Sequence, residues 1–104
     1  MAKHPGAFAS HAVRFYLGAG ADPQAALTWA EKNLAALVTT DSLALAVEAA
    51  TAAKASDRAC ALADQLTKRP YVSARLHVIT SRAFTACGQR ERAAAEVATA
   101  AKQS

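Results

Sequence analysis

Apolar residues recur at spacings of three and four along most of the chain. Leu62 and Leu66, then Leu76, Ile79, Ala83 and Phe84, then Ala93, Val97 and Ala100 each fall on one stripe of an α-helix, and no stretch alternates as a half-buried strand would. Turn signals divide this pattern into six helices. Gly18 and Gly20 end the first, over about 6–18, and Asp22-Pro23 opens the second as N-cap and first helical position, running to about 37. Val38-Thr39-Thr40 has poor helix propensity and supplies hydroxyl caps, so a third helix runs from 40 or 41 to 53. Lys54 to Asp57 breaks the chain again, with Ser56 as the expected cap of a fourth helix that reaches 68. Pro70 cannot continue that helix and is expected to restart a fifth, which ends at Gly88, while a sixth covers about 89–102. Connections this short make consecutive helices antiparallel neighbours.

The breaks after the odd-numbered helices fall at Gly20, Lys54 and Gly88, separated by 34 residues each time. The same offset superposes Ala25, Ala59 and Ala93, then Trp29, Ala63 and Val97, then Tyr16, Ala50 and Phe84. Small residues one turn after each break let the second helix of a hairpin sit close to the first. The expected fold is therefore all-α, built from stacked antiparallel helical hairpins in a single domain over 1–104.

In the third unit, Ala83-Phe84-Thr85-Ala86-Cys87-Gly88 followed by Gln89-Arg90-Glu91-Arg92-Ala93 resembles the end of helix A, the glycine turn and the start of helix B of the tetratricopeptide repeat family. The resemblance covers units of about 6–39, 40–73 and 74–104. The repeats are degenerate: Ala9, Ala12 and Val13, then Leu43, Ala46 and Val47, then His77, Thr80 and Ser81 stand where the family has Trp, Leu and Gly. Lys54 replaces the turn glycine, and Lys32 sits at a usually small position. A one-residue shift in the first unit would give Ala26, Ala30 and Asn33 the conserved roles instead.

What the resemblance implies is a right-handed superhelix of six helices whose concave face is lined by the odd-numbered ones. The implied groove positions are Ser10, His11 and Arg14 in the first unit, Asp41, Leu45 and Glu48 in the second, and Arg75, Ile79 and Arg82 in the third. Such a face binds an extended peptide or a partner's helix, with the arginines as forked donors for carboxylates and Leu45 and Ile79 as apolar contacts. The competing reading takes the arginines as surface residues paired with Asp41 and Glu48. The chaperone-tail clamp of the family is not reproduced, because its positions carry Ser10, Arg14, Leu45, Arg75 and Ile79, of which only Arg75 keeps the chemistry.

Composition sharpens this picture. Hydrophobic residues make up 53% of the 104, yet aromatics only 6%, and thirty are alanine. A chain of this length buries roughly 65% of its unfolded surface, and here methyl groups must supply most of it through close helix approach. Trp29, Phe8, Phe15 and Tyr16 are assigned to the core of the first hairpin.

Charge and reactive residues narrow the functions. The net charge of +4 is carried by the second half, where nine cations face four anions. That half supports a rival reading as a nucleic-acid-associated helical repeat, although Asp57, Asp64, Glu91 and Glu96 interrupt the cations at helical spacing. No phosphate loop, GxSxG or HExxH motif occurs, so an enzyme is not expected, nor any cofactor. His4 and His11 stand about 10 Å apart along a helix, too far for one zinc, no metal site is expected, and His77 reads as a packed residue. Cys60 and Cys87, lacking metal or CxxC spacing, read as reduced core thiols. No segment has the length and apolarity of a signal peptide or membrane span, so a cytoplasmic location without membrane association is expected. Ala93, Val97, Ala100 and Ala101 are expected to face water after the last helix, which would make the chain one piece of a longer array or a homo-oligomer through this end or the first helix. The sequence therefore points to a non-catalytic protein-protein interaction module.

Overall fold

The computed structural model describes the backbone of residues 5–70 and 72–103, with side chains described from Ser10 onward; Lys3, His4 and the Phe8 side chain lie outside what is described. The fold is all-α. Among the described residues six helices and no strand are present: α1 (Pro5–Leu17), α2 (Pro23–Ala36), α3 (Thr40–Ala52), α4 (Ser56–Thr67), α5 (Ala74–Ala86) and α6 (Arg90–Gln103).

The helix starts follow from side-chain oxygens that answer backbone N–H groups left open by the first turn. Asp22 Oδ1 accepts from the Ala25 N–H at 3.1 Å, with Pro23 in the first turn. Thr39 and Ser42 form a reciprocal capping box at the head of α3, with bonds of 2.8 and 2.9 Å, and Ser42 Oγ also donates to the Leu37 carbonyl. Two expected starts are corrected. Ser56 is already helical, and Ala55 precedes α4 without any side-chain cap. Pro70 does not restart the fifth helix; the chain crosses from α4 to α5 first, and Ser73 caps α5 by accepting from the Leu76 N–H.

The helix ends are alike in two hairpins. After α5 the Gln89 N–H donates to the Phe84 carbonyl and the Gly88 N–H to Thr85, with Gly88 at φ +86; after α3 the Ala55 N–H donates to Ala50 and the Lys54 N–H to Thr51, with Lys54 at φ +61. Both are Schellman turns with a left-handed residue just past the helix. In the first hairpin the left-handed residue is Ala21, at φ +46, rather than Gly20. Gly20 is needed for another reason: a Cβ there would lie 2.7 Å from the Phe15 ring.

That extra turn residue moves α2 by one position. The buried counterparts of Ala59 and Ala63 are Ala26 and Ala30, with no exposed surface, and not Ala25 and Trp29. The period is 33 residues between the second helices of units one and two and 34 between units two and three. The aromatic assignment changes with it: Trp29 and Tyr16 only border the core, and Phe15 is 54% exposed.

Each helix packs on its successor, and α3 also touches both α1 and α5, so the odd-numbered helices form a central layer. Eight of the thirteen residues of α3 are buried. The even-numbered helices splay apart: among the described residues no Cα of α2 comes within 8 Å of α4, or of α4 within 8 Å of α6. The result is elongated, 45 × 26 × 22 Å. Because α4 lies against α5, Cys60 on α4 meets Cys87 at the end of α5, with Cα atoms 6.3 Å apart, and the two form a disulfide. They are not the reduced thiols expected.

Candidate functional site

Three helical stripes share one face of the central layer. On α1 it carries Ser10, Arg14 and Leu17; on α3 Asp41, Leu45, Glu48 and Ala52; on α5 Arg75, Ile79 and Arg82. Each set is spaced by three or four residues, so each projects from one side of its helix. Two clefts are lined by residues of these stripes. One, of about 190 Å³, is lined by Ser10, Arg14, Asn33, Leu37, Thr39, Asp41, Ser42 and Leu45. The other, of about 360 Å³, is lined by Leu17, Glu48, Thr51, Ala52, Ile79 and Arg82.

Of the nine groove positions, seven line these clefts and Arg75 reaches the second through its ion pair with Glu48 at 3.6 Å. Leu45 and Ile79 are buried and form apolar floor, whereas Arg14, Asp41 and Arg82 are exposed and form no ion pair with any described residue. His11 belongs elsewhere. It lines a separate cleft of about 300 Å³ with Ala12, Phe15, Tyr16 and Trp29, because one residue along a helix turns a side chain by about 100°. Sequence reasoning missed Leu17 and Ala52, which simply extend the stripes by one step, and Asn33, Leu37 and Thr39, which arrive from α2 and its link to α3.

The basic half is less bare than its charge count. Arg58 on α4 holds Glu31 on α2 through two 2.7 Å hydrogen bonds, and Arg92 on α6 holds Asp64 on α4 at 2.9 Å. Asp64 also pairs with Lys68 at 3.1 Å. Hydrogen bonding from Arg58 lowers the pKa of Glu31, and bonds from Arg92 and then Lys68 lower that of Asp64, against the opposing effect of burial. His77 is half-buried, its Nδ1 3.0 Å from Glu96 Oε1, which also accepts from Thr80 at 2.6 Å; the trio ties α5 to α6. Among the described residues no three His, Cys, Asp or Glu side chains gather as a metal site would require.

At the last helix, Ala93 and Ala100 are buried against the preceding structure and do not face water as expected; Val97, 53% exposed, and Ala101 do. Among the described residues no helix is long and apolar enough to cross a membrane.

These features define the class of protein as an all-α array of helical hairpins with a two-cleft face on its central helices. Compared with known proteins, the chain matches no family model, no curated protein and no solved structure.

Proposed function

We propose that the chain is a non-catalytic interaction module of the tetratricopeptide type, presenting the face of α1, α3 and α5 as a groove to a peptide or to a helix of a protein partner. One observation carries this reading: the stripes of α1, α3 and α5 line two clefts, with apolar floor at Leu45 and Ile79 and charged rims at Arg14, Glu48 and Arg82. Apolar floor edged by forked donors suits an extended chain carrying carboxylates. The nucleic-acid reading is weaker, because four of the nine cations in the basic half, Arg58, Lys68, Arg75 and Arg92, are engaged by carboxylates.

The test is affinity capture with the wild-type chain beside an Arg75→Glu/Arg82→Glu variant. A partner retained by the wild type and lost from the variant is expected, and identical partner sets would remove the groove assignment. Binding to RNA or DNA that weakens steeply with salt would favour the nucleic-acid reading instead. The cytoplasmic location belongs to this proposal too, and the Cys60–Cys87 disulfide weighs against it; trapping free thiols in intact cells decides, since a reducing compartment keeps the pair open to alkylation and an oxidising one keeps it bridged.

A further inference from the structure

Asn33 is the buried polar side chain that the fold leaves unanswered. It is 7% exposed, yet its amide makes no hydrogen bond to any described residue, whereas Ser42, Thr80 and Ser81, the other buried polar residues among those described, are each bonded. Among the described residues no fully enclosed side-chain N or O lacks a partner, so the Asn33 amide meets solvent through the cleft it lines. Its repeat counterparts, 33 and then 34 residues further on, are Leu66 and Ala100, both buried and apolar. Packing at this position asks for a hydrocarbon, and the first unit supplies a group with both a donor and an acceptor.

The rest of that cleft is equally specific. Arg14 and Asp41 line it with opposite charges, and neither pairs with the other or with any other described residue. The Ser42 hydroxyl is committed, accepting from the Thr39 N–H and donating to the Leu37 carbonyl, while the Thr39 hydroxyl accepts from the Ser42 N–H and its own proton bonds to no described residue. Leu37 and Leu45 provide apolar wall. Its 190 Å³ is roughly the room of six waters, well short of the volume that takes a drug-sized molecule.

We propose that this cleft binds a free α-amino acid, its carboxylate on Arg14, its ammonium towards Asp41, and a hydrogen-bonding side chain such as a carboxamide on Asn33. A bare anion would meet Asp41 and a bare cation would meet Arg14, so each is repelled by one wall, whereas a zwitterion satisfies both. A residue inside a peptide carries neither terminal charge. The site overlaps the first of the two clefts of the proposed groove, so a free amino acid and a peptide partner would compete there; the groove is tested at Arg75 and Arg82, beside the neighbouring cleft, so the two proposals fail separately.

Titration of the isotope-labelled full chain with L-glutamine, to about 20 mM so that millimolar binding is seen, reads the site directly by NMR. The expected result is movement of the Asn33 side-chain amide and of the backbone signals of residues 39–42, with no response to N-acetyl-L-glutamine amide, which has neither charge. Arg14→Gln and Asp41→Asn should each weaken binding about tenfold or more, as loss of a charge-assisted bond does. Asn33→Leu places at 33 the residue that position 66 carries, so the fold is retained, and it should erase any preference for L-glutamine over L-leucine. Absence of any response to amino acids would overturn the proposal, as would equal binding of the neutral amide or a titration unchanged by Asn33→Leu.

Discussion

Three residues take the left-handed backbone where a hairpin turns, and they differ in how well their side chains suit it. Gly88 is unstrained at φ +86, while Lys54 and Ala21 hold φ +61 and +46 with a Cβ in place. Nothing lies within 4 Å of a Cβ added at Gly88, so any cost of substitution there is conformational. Gly88→Ala should therefore destabilise by about 1 kcal/mol, and Lys54→Gly should stabilise by about 0.5 kcal/mol, both read from urea unfolding. The turns at Lys54 and Gly88 are legible in the sequence through their equal spacing. The one at Ala21 is not, because two nearby glycines attract the assignment while tight packing under the Phe15 ring is what requires Gly20.

Between elements, the ion pairs repeat with the fold. Arg92 stands 34 residues after Arg58, and Asp64 stands 33 after Glu31, so each junction of adjacent units carries the same arginine-to-carboxylate link. These links span a gap that the backbones of α2, α4 and α6 leave open. Both carboxylates are lowered below their ordinary values by their arginines. Their stabilisation is therefore complete above the unfolded carboxylate pKa and is lost as pH falls through the lower folded value. Acid should erode stability below about pH 4, and an Arg58→Ala/Arg92→Ala variant should lose part of that dependence while losing no more than about 1 kcal/mol per pair near neutrality, since all four groups are substantially exposed. Thermal melting across pH 2.5–7 checks both, the range set by the carboxylate values. The sequence shows these cations only as residual charge on solvated faces; which acid each arginine meets depends on how far apart the second helices of neighbouring hairpins are held.

Across the whole molecule, the disulfide is the longest covalent constraint. Cys60 and Cys87 are 27 residues apart and tie the second hairpin to the third. Closing a loop of that size in the unfolded chain stabilises by about 3 to 4 kcal/mol on the chain-entropy account. Reduction, or Cys60→Ser/Cys87→Ser, should lower unfolding stability by that order in urea titrations with and without dithiothreitol. The loss should add to the effect of Lys54→Gly within a few tenths of a kcal/mol, because no hydrogen bond joins that turn to either cysteine side chain.

The helical content, the 34-residue spacing of the second and third units and the one-sided stripes of α1, α3 and α5 can be read from the chain alone. These rest on local rules: apolar spacing selects the buried side of each helix, caps and glycines end it, and short links force antiparallel pairing. Tertiary structure decided the rest, because each remaining feature depends on a distance between segments that no local pattern encodes. One added residue in the first turn placed Ala26 and Ala30 inward, the register the sequence offered only as an alternative, and the packing of α1 leaves Phe15 exposed to solvent. Packing of α4 on α5 brought two cysteines together, and the approach of α2 to α1 and α3 set a lone buried amide between an unpaired arginine and an unpaired aspartate. Thirty alanines make such close approach of helices available, and only the packed chain shows which of them are spent on the core.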